Sequence, residues 1–575
     1  MQSSGAGVSL NLIPSGSILS IAVLLLITTG CGSLGSSSTA RHAPGVSLSS
    51  APAAVALQQN ASGSVTINVN TTGGFSGSVA LTVSGLPTGV TASLSPASTN
   101  SQSTLTFNVS ASAPTGTATI TINGTSGSFS PTTQISLAVL AAPVPGSVTA
   151  SFFALNNVAP SDDPAADGMF YGAVGHPIRL AWPYIETSRG NFNFSFYDQY
   201  AAIAPKAASG RVAMMDLTLG ITPSWAVSSQ NTCRTLPNPG GPTITGCQAP
   251  PDNIQDWKDF INALVQHYNG SVAPHIQYYE IWNEWNTVDA QNGFWSGTVQ
   301  QLVSLQTAAC TIIHGADSFS MVLTPSTVGA AATAGAQAPG NLQTYLSAGG
   351  TSCPGAPGNL IDGVSFHGNL GLASLSPFPQ PGEGCAQNGC NGTIVQIANS
   401  YREVMNANGL QGAPLLDTEG GFESANIPDN DQRAAWLAQF YALQAGLFNS
   451  DQLQWVSWFT WGAPGVAGNI ETGNNTPDEA GIAYNQLYLW EINRLPSPCT
   501  QTGKIWTCPL TGSAGYQAEI VWDDSQTCAN GVCTTNSTFT APSGAVQFRD
   551  IAGNVTQITT GTVPVGLKPI IIENQ

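Results

Sequence analysis

Between Val46 and Leu140 apolar and polar residues alternate with a period of two. The runs are Val65/Ile67/Val69, Val79/Leu81/Val83, Leu105/Phe107/Val109, Ala118/Ile120/Ile122 and Ile135/Leu137/Val139. This alternation gives a strand one buried and one solvated face. Gly, Pro and Asn separate the runs at turn spacing, so residues 46–141 are predicted to form an antiparallel β-sandwich. A Pro-rich stretch over 142–148 reads as a linker. Beyond it short apolar runs alternate with helical stretches. Strands are predicted at Ser151–Leu155, Pro177–Ala181, Val212–Leu219, Ile276–Trp282, Ser320–Leu323, Ile361–Phe366, Pro414–Asp417 and Leu453–Trp461. Between them, Asn253–Tyr268 places Ile254, Trp257, Ile261, Leu264 and Val265 on one helical face, and Gln432–Phe448 carries Trp436, Leu437, Phe440 and Tyr441. Eight alternating β and α units predict a (β/α)8 TIM barrel with enlarged loops over 149–495. Residues 496–575 return to strand patterns (AEIVWD, AVQFRD, VTQITT, PIIIEN) and predict a small C-terminal β-domain.

The apolar run Ile18–Thr28 is too short to span a bilayer and is followed by Thr29-Gly30-Cys31 and a Gly/Ser-rich stretch. Residues 1–31 therefore read as a signal peptide and 32–45 as a low-complexity linker. The Gly-Cys end resembles a bacterial lipobox, which implies an exported protein. It would be a cell-surface or outer-membrane lipoprotein attached to the membrane through a lipidated Cys31, or else freely secreted. The remaining ten cysteines form an even set, as expected in an oxidising compartment. Spacing suggests Cys233–Cys247, Cys385–Cys390, Cys499–Cys508 and Cys528–Cys533, leaving Cys310 with Cys353. Zinc is the competing use of cysteine, but the sequence holds no Cys-x-x-Cys and no histidine at ligand spacing, so no metal is expected.

Charged residues make up only 8% of the chain, against 62 Gly and 38 Pro, which excludes coiled coils and long solvated helices. The net charge of −18 disfavours nucleic acid or an anionic membrane surface as a partner. Residues 1–150 contain no Asp or Glu, so acid–base chemistry must lie downstream.

Two strings there carry chemistry. In YYEIWNEWN (Tyr278–Asn286) an apolar strand, the fourth, ends in Asn283-Glu284. In APLLDTEGGF (Ala413–Phe422) the seventh runs into Glu419. Strand C-termini of such a barrel share one mouth, so two carboxylates can face each other over one cleft. Splitting a glycosidic bond with retention needs that pair about 5–5.5 Å apart, one protonated and one ionised. Glu280 points the same way as Glu284 by even spacing and reads as a buried structural partner. His176, His267 and His314 are assigned no role.

With those motifs, residues 151–495 resemble a clan A glycoside hydrolase, in the manner of family 39 and the cellulase-like families. The resemblance implies that Glu284 is the acid/base, Glu419 the nucleophile, and Asn283 the holder of the sugar 2-hydroxyl. It further implies that Arg179, in IRLAWPYIETSRGNFNF, orients the nucleophile. Trp225 in LTLGITPSWA would lie near the subsites, His367 in DGVSFHGN at the end of strand six, and Trp461 in WVSWFTWG under the sugar. Asn369 stands where related strand-six motifs carry an aromatic residue. FSGSVALTVSGLPTGVTASLSP resembles bacterial Ig-like modules, which implies a spacer. The implied function is retaining hydrolysis of a poly- or oligosaccharide, with no cofactor. The alternative is a non-catalytic carbohydrate-binding or adhesive surface protein.

Overall fold

The computed structural model describes residues 43–158, 161, 163–177, 180–207, 210–236, 243–287, 293–328, 338–370, 380–382, 392–422, 427, 429–462, 468–472, 476–529 and 531–575. The alternating N-terminal runs form two sheets. One has four strands, in the order Gly45–Ala51, Ser62–Thr72, Gln102–Val109, Val90–Ser95. The other has five, in the order Ala54–Gln58, Thr132–Leu140, Gly116–Thr125, Val79–Ser84, Ser98–Thr99. Their inward positions, among them Ile67, Leu105, Phe107, Ile120, Ile122, Ile135 and Leu137, are fully buried in one common core.

The central unit is an eight-stranded sheet of parallel strands: β1 (Phe153–Leu155), β2 (Ala173–Val174), β3 (Val212–Thr218), β4 (His275–Glu280), β5 (Met321–Leu323), β6 (Val364–Phe366), β7 (Leu415–Gly420) and β8 (Leu453–Trp458). β8 returns to pair with β1, Phe153 opposite Val456 and Leu155 opposite Trp458. Between β5 and β6 only single parallel bridges, Leu323 to Gly363 and Val328 to His367, bring the ring together. The sheet is thus a nearly closed barrel. From β2 onward each strand is followed by a helix: α1 (Ser195–Ile203), α2 (Ile254–His267), α3 (Val299–Ala316), α4 (Ala338–Tyr345), α5 (Ile394–Ala407), α6 (Asn430–Ala445) and α7 (Glu479–Glu491). The α3 and α5 starts are fixed by capping boxes, Thr298 with Gln301 and Thr393 with Gln396. One end of the barrel interior is plugged by Ala154, Ala173, Tyr278, Leu323, Leu416 and Trp455, with the Tyr278 and Trp455 rings edge-on at 5.3 Å.

Strand two differs from its predicted position. It pairs at Ala173–Val174, and Ala181–Ile185 is a short helix. Pro177 has no N–H to give to the ladder, so pairing falls upstream of it.

The C-terminal unit is a seven-stranded sheet in which the last strand, Ile570–Glu573, lies between Gln517–Asp523 and Gln547–Asp550. Ile520, Trp522 and Leu510 from this sheet, and Ala138 and Leu140 from the N-terminal unit, join the same buried cluster as the barrel helices. The multidomain layout read from the sequence is therefore present.

Disulfides join Cys233–Cys247, Cys310–Cys353, Cys499–Cys508 and Cys528–Cys533. The expected Cys385–Cys390 pair lies outside the described residues, as do the predicted signal peptide and the 32–42 part of the linker. The disulfides support an extracellular, exported protein. Among the described residues no helix is long and apolar enough to cross a membrane. The expectation of membrane attachment through a lipidated Cys31 is corrected. Every described cysteine is consumed in a disulfide, which leaves no free thiol there to carry a lipid, and Cys31 itself lies outside the described residues.

Loop closure predicts unequal value for these crosslinks. Cys310–Cys353 closes a separation of 43 residues and Cys528–Cys533 one of 5. Replacing Cys310 and Cys353 together by Ser should lower unfolding stability by about 2–4 kcal/mol, and the Cys528/Cys533 replacement by less. Urea midpoints of the two double variants check the order.

Candidate active site

Glu284 lies just past the end of β4, and its backbone is left-handed, at φ 36°. A non-glycine residue holds that conformation only where its surroundings enforce it. Here the Glu284 N–H donates to Ser326 Oγ (3.0 Å), while Ser326 N–H donates to the Trp282 carbonyl (2.8 Å). The segment after β5 thus clamps the turn that presents the carboxylate.

Glu419 reaches the same mouth from β7 by a break in alternation. Leu416 lies in the interior plug, and the Thr418 hydroxyl donates to Glu280 Oε2 at 2.8 Å, so strict period two would turn Glu419 away. The β7–β8 register shifts between Asp417 and Gly420, and such irregularities re-aim side chains.

The two carboxylates meet over histidine. His367 Nδ1 lies 2.8 Å from Glu284 Oε1 and 3.8 Å from Glu419 Oε2, so those two oxygens stand at most about 6.6 Å apart, the sum of the two distances. Glu284 and Glu419 keep 17% and 18% of their side chains exposed, whereas His367 is fully buried. His176 Nε2 contacts Glu419 Oε2 at 3.0 Å, and the rings of His176 and His367 lie 6.1 Å apart and nearly parallel. Behind His176, Asn156 donates to the Thr418 carbonyl (3.0 Å) and accepts from Ser457 Oγ (2.5 Å). Only a residue without a side chain fits between them: a Cβ on Gly175 would stand 1.6 Å from Asn156 Oδ1.

Electrostatics sort these groups. Burial alone would raise Glu419, but the charge of His367 and the hydrogen bond and charge of His176 outweigh it and hold the carboxyl below its ordinary range. Burial opposes a charge on His367, yet Glu419, Glu284 and Glu280 together push it up to about 10. His176 is raised for the same reason, chiefly by Glu419. Deeper in the barrel, burial raises both Glu280 and Asp216, and the Glu280 charge adds to the rise of Asp216. Neither Asp216 oxygen has a hydrogen-bond partner.

Of the residues singled out from the sequence, Glu284, Glu419 and His367 are brought together. Asn283 is buried beside Glu284 with its Oδ1 unpartnered. Arg179 lies outside the described residues. Trp225 is half-buried; its indole donates to the Glu186 carbonyl (2.8 Å) and packs under Arg189. Trp461 is fully buried, with no exposed ring face, and its backbone N–H donates to the Asn156 carbonyl (3.1 Å). His176 is the site residue that sequence reasoning passed over. A strand placed after it hid the usable signal, a polar residue just beyond an apolar strand end.

His176, His367 and Glu419 offer three donor atoms within 4.8 Å of one another and could hold a metal ion. A protonated ring nitrogen has no lone pair for a metal, so ion pairing with the carboxylates and metal ligation are alternatives at the same atoms. In a second group, His314, Cys353 and Asp362, the cysteine sulfur is already bonded to Cys310.

No family model matches this chain, and no curated protein matches it. Solved structures do. A family 39 glycoside hydrolase from the gut symbiont Bacteroides cellulosilyticus WH2 superposes with a TM-score of 0.53 at 15% identity, covering 92% of this chain and 99% of that one. A family 44 xyloglucanase from Paenibacillus polymyxa gives 0.43 at 12% identity, covering 74% and 96% of the two chains. The catalytic domain of a GH30 xylanase C from Talaromyces cellulolyticus gives 0.43 at 12%, covering 71% and 88%. At 15% identity the family 39 likeness is one of fold: this chain has a glycoside-hydrolase-like fold with a barrel-shaped domain.

The histidine shifts fix a pH dependence. A raised value means that the folded state binds its proton more tightly. The His367 contribution is therefore complete below its ordinary 6.5 and is lost as pH rises toward and through about 10. Glu419 works in the opposite sense, its contribution lost as pH falls through its lowered value. The thermal midpoint should fall between about pH 6.5 and 10, and less steeply in His367→Gln. Parallel curves for the two proteins would show that this ion pairing does not form.

Proposed function

We propose that this chain is an exported glycoside hydrolase that cleaves O-glycosidic bonds of a poly- or oligosaccharide with retention. We read the barrel as a (β/α)8 TIM barrel and the N-terminal module as an Ig-like spacer. The observation that carries the proposal is the reach of one ring nitrogen, His367 Nδ1, to both Glu284 and Glu419. The resulting limit of about 6.6 Å between their oxygens suits the retaining spacing of about 5–5.5 Å better than the wider inverting range.

Glu419, kept ionised by two histidines, attacks the anomeric carbon. The bond to the leaving oxygen breaks, and that oxygen takes its proton from the His367–Glu284 pair, which shares one across 2.8 Å. Water then attacks the glycosyl-enzyme, Glu284 accepts its proton, and the Glu419 carboxylate leaves. Asn283, with its unpartnered Oδ1, offers a partner for the 2-hydroxyl. His176 supplies at the nucleophile the positive charge that the family resemblance sought in Arg179. Arg179, Trp225 and Trp461 keep their substrate-side roles in this reading; for Trp461 that requires its covered ring to be uncovered as substrate enters. No cofactor takes part in these steps.

Digestion of a glycan panel tests this. Glu419→Ala should lower turnover at least about 10³-fold and Glu284→Ala about 10²–10⁴-fold. Proton NMR of the first product released by wild type should show the substrate's anomeric configuration. An inverted product would overturn the double displacement. Binding of one glycan by wild type and Glu419→Ala alike, with no sugar released by either, would make the protein a glycan-binding module instead.

A further inference from the structure

Where the three units meet, a cavity of about 920 Å³ opens, far larger than a buried water needs. It is lined by Thr115 from the N-terminal sandwich, Gln486 from α7, and Ser513, Tyr516 and Arg549 from the C-terminal unit, with Arg494 at the barrel's end. Neither Glu284 nor Glu419 lines it.

Arg494 is the unusual member. The residue is only 5% exposed and its guanidinium lies 3.6 Å over the Tyr516 ring. Its Nη1 has no hydrogen-bond partner, and among the described residues no carboxylate lies within ion-pairing distance of it. Buried guanidinium groups are normally paired with an anion. Its neighbour Arg549 is paired, through Nε at 2.5 Å and Nη2 at 2.7 Å, with Glu573. The Glu573 oxygens also accept from Gln547 (2.9 Å) and Tyr516 (3.0 Å), which occupies that carboxylate. Two guanidinium groups therefore line the cavity, with Gln575 beside them, and the Glu573 carboxylate that acts on both makes its direct ion pair with Arg549 alone. The chain has 31 acidic side chains for 13 basic ones, so the missing partner is not for want of acids.

We propose that this junction cavity binds a uronic acid residue of an acidic glycan, its carboxylate pairing with Arg494. A guanidinium matches a carboxylate geometrically as well as in charge. The hydroxyl groups of Thr115 and Ser513 and the amide of Gln486 suit sugar hydroxyls. Such a ligand would touch all three units at once. The proposal is independent of the roles given to Glu284 and Glu419.

Isothermal titration of the full chain with trigalacturonate, and with neutral cellotriose as its control, tests it. Wild type should bind the acidic trisaccharide and not the neutral one, and Arg494→Gln should weaken binding at least about tenfold with hydrolytic activity retained. Gln486→Leu, on the helix face of the cavity, should weaken it as well and serves if Arg494→Gln does not fold. Equal affinity in wild type and a folded variant, which includes binding confined to the barrel mouth, would overturn the proposal. So would equal binding of cellotriose, or no binding of trigalacturonate by wild type. Inorganic sulfate competing as well as trigalacturonate would reduce the site to an adventitious ion only and would also overturn it.

Discussion

The candidate site depends on balancing two carboxylates in one partly dry pocket. At 6 Å and an effective dielectric near 20, two like charges repel by about 3 kcal/mol. Left alone, the pair would escape that cost by protonating whichever member is more buried. Two histidines prevent it at Glu419: His367 sits between the carboxylates and His176 caps the far side. Each imidazole is itself too deeply buried to carry a charge without the carboxylates. The cluster is thus one electrostatic unit: the histidines hold Glu419 ionised, and the carboxylates hold the histidines charged.

The fold delivers these four side chains by four different local devices. Glu284 is turned by a left-handed residue clamped through Ser326, and Glu419 by a slip in the β7–β8 ladder. His367 follows β6 and takes part in one of the bridges that bring the ring together. His176 follows β2 and comes close because Gly175 leaves room for Asn156 and Ser457. Each device acts at the C-terminal end of a strand, where backbone groups leave the ladder and are free to bend. Further down, regular alternation resumes, and the interior passes from buried acids to the apolar plug around Tyr278 and Trp455. Asp216 and Glu280 lie deeper than the histidines, where burial raises both carboxyls while their charge still adds to the rise of His176.

The parts of this architecture that follow from period were legible in the sequence. The N-terminal alternation, the α2 face around Trp257 and Leu264, and the apolar strands ending at Glu284 and Glu419 all lie in runs long enough for one pattern to dominate. Strand two was not legible, because it is two residues long and its neighbours are Gly and Pro. Misplacing it by a few positions moved His176 from after the strand to before it. A residue of the cluster then read as a residue of no consequence. Trp461 shows the opposite failure. An aromatic at the end of strand eight looks the same in sequence whether it faces a cleft or fills a core, and here it is fully buried.

Charge that local sequence cannot balance must be balanced across the fold. In this chain most buried basic groups have a visible answer, whereas the buried acids Asp216 and Glu491, whose oxygens are unpartnered, are driven toward the neutral form instead. Arg549 has Glu573, His275 has Asp317, His314 has Asp362, and His176 and His367 have Glu419 and Glu284. Arg402, buried on α5, is answered by three backbone carbonyls, those of Asp451, Leu410 and Ala413. Against that pattern Arg494 stands out, with an aromatic face beneath it and a cavity beside it. Packing alone would be served by any long apolar side chain there, with no desolvated charge to support. The guanidinium makes physical sense when its counter-ion comes from outside the chain.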